Sequence, residues 1–94
     1  LVSLTESIYD DLFNFLKAKD FKKMRGWVVY NIDTDASAIF RGIYDRMVER
    51  VKPQSIPQLV LILADYQYKN VHVADQEVNM VAFFTEVMVD CEFA

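Results

Sequence analysis

The sequence predicts an all-α fold, a compact bundle of about five antiparallel helices. Three observations lead there. Apolar residues recur at helical spacing in five separate segments. Only Gly26, Gly42, Pro53 and Pro57 punctuate the chain, too few turn residues for a sandwich or a barrel. The connections are short, about two to six residues, which sets consecutive helices side by side and antiparallel.

The first helix is expected to open at Ser3, where S-L-T-E has the spacing of a capping box between Ser3 and Glu6. Its apolar face is Ile8, Leu12 and Phe15, with Tyr9, Phe13 and Leu16 beside them. Asp20 is the expected N-cap of a second helix that carries Phe21, Met24, Trp27, Val28 and Ile32 on one side. A third follows N-I-D-T-D and aligns Ala36, Ile39, Phe40, Ile43, Met47, Val48 and Val51 before stopping ahead of Pro53. Gly42, in the middle of that helix, costs about 1 kcal/mol relative to Ala, so close approach of a neighbouring helix is its expected reason. Ser55 is placed to cap a fourth helix with Pro57 in its first turn. The fifth begins near Val73–Asp75 and runs to about Asp90.

The 94 residues are read as a single domain, residues 1–94, with an apolar fraction of 53% that is ample for a core. Because the chain opens at Leu1 rather than Met, it is expected to be a fragment of a longer protein. No apolar run approaches the length of a membrane span, and no basic segment precedes an apolar block as in a signal peptide. The single Cys91 allows no internal disulfide, which fits a reducing cytoplasm.

Catalytic chemistry finds little to stand on. His72 is the only histidine and Cys91 the only thiol, so no His/Cys cluster exists for zinc. The two sit at opposite ends of the fifth helix, about 28 Å apart at helical rise, too far for a nucleophile–base pair. Asp33-Thr34-Asp35 lacks the Gly and the distal Glu of a calcium loop, and neither Gly begins a phosphate-cradling G-K-[ST] motif. No cofactor, no small-molecule substrate and no enzymatic activity are expected of this segment.

The fourth helix is the unusual one. Ile56, Leu59, Val60, Leu61, Ile62, Leu63 and Ala64 are almost uninterrupted, and a helix apolar nearly all round has to be buried on nearly all sides. In a domain this small that requirement points to a neighbouring chain. Gln58, Asp65 and Lys69 share one polar line on this helix, with Ile62 in it; Asn79, Glu86 and Asp90 form a similar line on the fifth, with Phe83 in it. An apolar residue on an otherwise solvated line suits a subunit contact, although single exposed apolar residues are also ordinary. The expected interface set is therefore Ile62, Phe83, Gln58, Asp65 and Glu86.

Charge is unevenly spread. Lys17, Lys19, Lys22, Lys23 and Arg25 crowd one corner, and every charged residue from Asp75 onward is acidic. Plain solubility, a match between the basic corner of one subunit and the acidic tail of the next, and a grip on phosphates are all open uses. With a net charge of −4 there is no broad attractive field for DNA, and direct nucleic-acid contact is not expected.

Over Ser55–Phe84 the chain resembles a known family. The run Ile62-Leu63-Ala64-Asp65-Tyr66-Gln67-Tyr68-Lys69, a short turn, and then Glu77 with Ala82-Phe83-Phe84 is similar to the last two helices of the C-terminal collar domain of sliding-clamp loader subunits. The likeness extends to replication factor C small subunits and, more closely, to the clamp-loader large subunit of T4-like phages. Phe83-Phe84 stands where many cellular members have two leucines, and Val71-His72-Val73 replaces the family's usual turn glycine. The resemblance implies a non-catalytic oligomerisation domain that holds the ATPase modules of a DNA-replication clamp loader in a ring. It further implies an AAA+ parent protein with DNA-dependent ATPase activity, other loader subunits as homo- and hetero-oligomeric partners, and a cytoplasmic location, the bacterial host's if bacteriophage-encoded. The alternative reading is an unrelated helical adaptor that binds a single protein partner.

Overall fold

The computed structural model describes residues 6–31 and 36–94. Five helices make up an all-α bundle: α1 (Glu6–Lys17), α2 (Phe21–Asn31), α3 (Ala36–Met47), α4 (Ile56–Asn70) and α5 (Gln76–Asp90), with one 3₁₀ turn at Pro53–Ser55. The expected Ser3–Glu6 capping box, Ile32 and the aspartates ahead of Ala36 lie outside the described residues.

The helix boundaries follow from local chemistry. α1 ends in a Schellman motif, with Asp20 N–H donating to Phe15 C=O at 2.9 Å and Lys19 N–H to Leu16 C=O at 3.1 Å. Lys19 takes the left-handed position (φ 58°) that glycine usually fills. Its ammonium reaches the Met88 carbonyl on α5, so the residue that turns the chain also ties the corner to the bundle. Asp20 then caps α2 by accepting from Lys23 N–H at 3.1 Å. Asp75 caps α5 in the same way, accepting from Glu77 and Val78 N–H at 3.0 and 3.3 Å.

Ser55 behaves differently from expectation. The 3₁₀ turn before α4 holds it in a helical conformation, so its hydroxyl does not cap α4. It accepts instead from Glu92 N–H at 2.9 Å. This bond belongs to a C-terminal strap that the sequence does not announce. Lys52 N–H donates to Glu92 C=O at 2.8 Å and Ala94 N–H to Arg50 C=O at 2.9 Å, pairing Val51 with Phe93 as an isolated antiparallel bridge. The strap closes the end of α5 against the α3–α4 connection.

The core is one connected cluster. α3 buries Ala36, Ile39, Phe40, Ile43 and Met47, as its stripe predicts, with Val51 beyond it and Val48 half-buried. α1 is rotated slightly from expectation: Tyr9, Leu12, Phe13 and Leu16 are buried, whereas Ile8 and Phe15 are only half-buried. α2 buries Met24, Trp27 and Val28 but leaves Phe21 exposed at its first turn. Trp27 donates its indole N–H to Ile8 C=O at 3.1 Å, so this half-polar ring is satisfied where it packs. α5 packs on α1, α2 and α4; α3 packs on α1 and α4.

Gly42 has the reason expected of it. A Cβ there would stand 2.6 Å from Cζ of the buried Tyr9 and closer still to its hydroxyl, so α1 and α3 meet through this glycine. The Tyr9 ring has little room to retreat, with Phe13, Trp27 and the Arg46 guanidinium around it. Gly42→Ala is therefore expected to destabilise by about 1–3 kcal/mol from overpacking, despite the ~1 kcal/mol that alanine gains in helix propensity. In a Tyr9→Leu background the overlap disappears and the same change is expected to stabilise relative to that background. Urea midpoints of the four proteins check this, and a more stable Gly42→Ala single variant would remove the close-approach argument.

Candidate interaction surface on the last two helices

Of the two polar lines expected to face a neighbour, the one on α5 bonds to α4 instead, through Asn79 and Glu86 on Tyr66. Tyr66 of α4 donates its hydroxyl to Glu86 of α5 at 2.9 Å, and Asn79 of α5 donates its amide to the Tyr66 carbonyl at 3.4 Å. Asp65 and Lys69 pair along α4 at 3.0 Å. Asn79 is buried and Glu86 half-buried by this arrangement; Gln58 and Asp65 are exposed.

The two apolar residues in those lines are core residues, which corrects the interface expectation. Ile62 is 3% exposed and Phe83 fully buried. The Phe83 ring packs edge-on against Phe40 of α3 at 5.2 Å and tilted against Tyr66 at 5.7 Å. The reason is angular. On α4, Ile62 lies about 40° beyond Gln58 in the direction of Leu59 and Leu63, and at ~100° per residue that step crosses from the rim of the solvated face into the packed one. Phe83 stands in the same relation to Asn79.

The uncovered apolar surface of these two helices lies elsewhere on them, and α2 exposes Val29 and Tyr30 as well. Along α4, Pro57, Leu61, Ala64, Tyr68 and Val71 form a continuous exposed ridge, with Leu61 at 66%, Tyr68 at 68% and Val71 at 78% exposure. A hollow beside it is lined by Val60 and by Arg41 and Tyr44 of α3, with the Arg41 guanidinium over the Tyr44 ring at 5.3 Å. Along α5 there is a shallow apolar groove instead. It is lined by Val78, Val81, Ala82, Thr85 and Val89 together with Phe21 of α2 and Tyr66 of α4. Val78 and Val89 are 62% and 74% exposed. Glu86 and Asp90 edge the groove, and Asp75 edges its continuation toward Val73.

The remaining chemistry-bearing residues do not assemble. His72 sits in the exposed turn after α4 with its ring 4.8 Å from Tyr68, and Cys91 is buried at the end of α5. Among the described residues no group of three or more His, Cys, Asp or Glu could hold a metal ion, and no helix is long and apolar enough to cross a membrane.

Two acids on this side of the bundle hold their protons beyond their ordinary range. Burial, then the hydrogen bond and charge of Glu86, pushes the Tyr66 phenol up; burial, then Asp90 and Glu86, does the same to the Cys91 thiol. As pH rises the unfolded chain loses these protons first, so it binds fewer protons than the folded one and stability falls with pH. The contribution is fully present below the ordinary thiol value of about 8.5, and declines from there through the tyrosine range near 10 and above. The double variant Tyr66→Phe/Cys91→Ala is expected to flatten this alkaline limb in urea-midpoint measurements; an unchanged slope would mean that neither proton is linked to folding.

For the corrected residues, Ile62→Glu or Phe83→Glu is expected to destabilise the chain strongly, by more than about 3 kcal/mol for the unpaired buried carboxylate out of a total of roughly 5–15. Far-UV circular dichroism reads the outcome, and a native spectrum with altered association would return both side chains to the surface.

Compared with protein-family models and with curated proteins, the chain matches none.

Proposed function

We propose that this chain is the collar, the non-catalytic oligomerisation domain, of a sliding-clamp loader subunit, packing against neighbouring subunits to keep their ATPase modules in a ring. One observation carries the reading: the helices bearing the collar-like Ile62–Lys69 and Glu77–Phe84 segments each keep exposed apolar residues along one outward line, Leu61, Tyr68 and Val71 on the first and Val78 and Val89 on the second. Contiguous apolar faces of this kind mark interaction sites. They also supply the outside burial that an almost wholly apolar fourth helix calls for, through Leu61, Tyr68 and Val71 rather than Ile62.

In this reading the partners are other loader subunits, copies of this chain and different ones, in the cytoplasm of the cell where the parent protein replicates DNA. If the parent is phage-encoded, that is the bacterial host. Nucleotide binding and hydrolysis belong to AAA+ modules of the parent protein, and the segment described here acts by holding them in register.

Light scattering coupled to size exclusion tests this across a wide concentration range. The wild-type chain is expected to rise above the 11.0 kDa of a monomer as concentration increases. Leu61→Glu is expected to remain monomeric with unchanged helicity, because exposed substitutions usually alter stability by no more than about 0.5 kcal/mol. A wild-type chain that stays monomeric throughout would favour the adaptor reading, in which one foreign protein covers the ridge.

A further inference from the structure

We infer that the outer face of α2 is a contact site for single-stranded nucleic acid. α2 carries neither of the collar-like segments, so this site stands apart from the oligomerisation reading.

α2 turns Met24, Trp27, Val28 and Asn31 inward and presents Lys22, Lys23, Arg25, Gly26, Val29 and Tyr30 to solvent. Gly26 is the centre of that outer face. Lys22 and Lys23 lie one turn before it and Val29 and Tyr30 one turn after, at the spacings that share a helix surface. A glycine inside a helix costs stability relative to alanine, and at Gly42 the Tyr9 ring supplies the cause. Gly26 has no such cause within the chain, because a Cβ there would meet nothing within 4 Å. The glycine leaves bare backbone between two lysines and a tyrosine that is 88% exposed.

The cations at this corner are also the uncompensated ones. Arg41, Arg50, Lys52 and Lys69 each pair with a carboxylate. Among the described residues no ion pair forms at Lys17, Lys22, Lys23 or Arg25. Asp20, the one acid between Lys17 and Arg25, accepts from the Lys23 backbone N–H as the helix cap. The net charge of −4 averages over this asymmetry, and an expectation drawn from it alone misses a local cationic face.

A nucleic-acid strand suits this face better than an acidic protein does. Lysine is depleted in protein–protein interfaces, whereas phosphates accept from lysine and arginine alike. Single strands are held by such cations along the backbone while their bases stack on aromatic rings. Lys22, Lys23 and Arg25 supply the cations and Tyr30 the ring, and the bare backbone at Gly26 gives a base room beside it. The face is short, with Asp33 and Asp35 following α2 in the sequence, so it spans a few nucleotides only.

Fluorescence anisotropy of a labelled oligothymidylate about 15 nucleotides long, titrated with the whole chain at several salt concentrations, tests this. Three phosphate contacts give an expected slope of log affinity against log salt of about −2. Lys22→Gln/Lys23→Gln is expected to weaken binding about tenfold and to flatten the slope by about 1.4. Tyr30→Ala is expected to weaken binding at least about fivefold and keep the slope, since a lost stack changes no counterion release. All three positions are exposed, so native helicity is expected and is checked by circular dichroism. An oligouridylate of the same length is the RNA arm, and binding of either strand with these variant effects bears the contact out. No salt-dependent rise in anisotropy with either strand overturns it, as does binding that both variants leave intact. If labelled polyglutamate of matched length binds as tightly and Tyr30→Ala changes neither affinity, the face serves an acidic protein, which also overturns the nucleic-acid contact.

Discussion

The adjacent phenylalanines of α5 are the constraint on which the rest of the bundle depends. Consecutive residues on a helix point about 100° apart, so two neighbouring rings cannot enter the same pocket. Phe83 turns toward Phe40 of α3 and Tyr66 of α4; Phe84 turns toward Trp27 of α2, edge-on at 5.9 Å. Both are fully buried, and their rings touch each other at 4.9 Å. α5 thereby joins the first helices to the later ones, and its position fixes theirs. The Lys19 ammonium on the Met88 carbonyl and the Glu92–Ala94 strap on Arg50–Ser55 secure the C-terminal end of the same helix from opposite sides. Burying Phe83 and Phe84 together with Met80, Val87 and Met88 commits about 140° of the circumference of α5 to the core and leaves the line Val78–Ala82–Thr85–Val89 on the opposite side.

How far the sequence discloses this architecture varies by element, for physical reasons. α3 reads correctly because its apolar residues make one stripe with Arg41 and Asp45 opposite, so only one face can turn inward. The Asp20 and Asp75 caps are local chemistry and need no knowledge of the fold. Gly42 is legible as a cost that must have a cause, although the identity of the ring that fills its space, Tyr9, is a tertiary fact. Ser55 is the opposite case. A serine before Ile-Pro has every local mark of a cap, yet the hydroxyl is taken by Glu92, 37 residues away. The strap itself is invisible because two short segments joined by backbone hydrogen bonds leave no periodicity to detect.

The interface residues show where pattern reading fails on an apolar helix. Periodicity locates a buried face by contrast with a polar one, and α4 offers little contrast. Gln58, Asp65 and Lys69 supply much of what polarity it has, so their line reads as the solvated side. It is the edge of that side, beside the seam with α5, where Tyr66 meets Glu86 and Asn79. The true centre of the outer face is Pro57–Leu61–Ala64–Tyr68, which without coordinates looks like more core. The apolar residues that α4 and α5 leave outside are therefore not Ile62 and Phe83. Burial reassigns those two and brings forward Leu61, Tyr68 and Val71.

Size explains why such faces stay on the surface of so small a chain. Its accessible area is 5689 Å². A standard interface takes about 800 Å² from each partner, so two of them would occupy roughly a quarter of this surface. Among the described residues, 23 buried apolar side chains already draw on every helix, and turning the α4 ridge inward would take Leu59, Ile62 and Leu63 out of that core. A bundle of this size with apolar residues on two faces of α4 gives one face, Leu59, Ile62 and Leu63, to its core and leaves Leu61, Tyr68 and Val71 on the surface. The same limit holds on α5, where the inner face is committed through Phe83 and Phe84. α4 and α5, which make the most extensive helix–helix contact, thus each keep an apolar strip on the outside, through Leu61, Tyr68 and Val71 on one and Val78 and Val89 on the other.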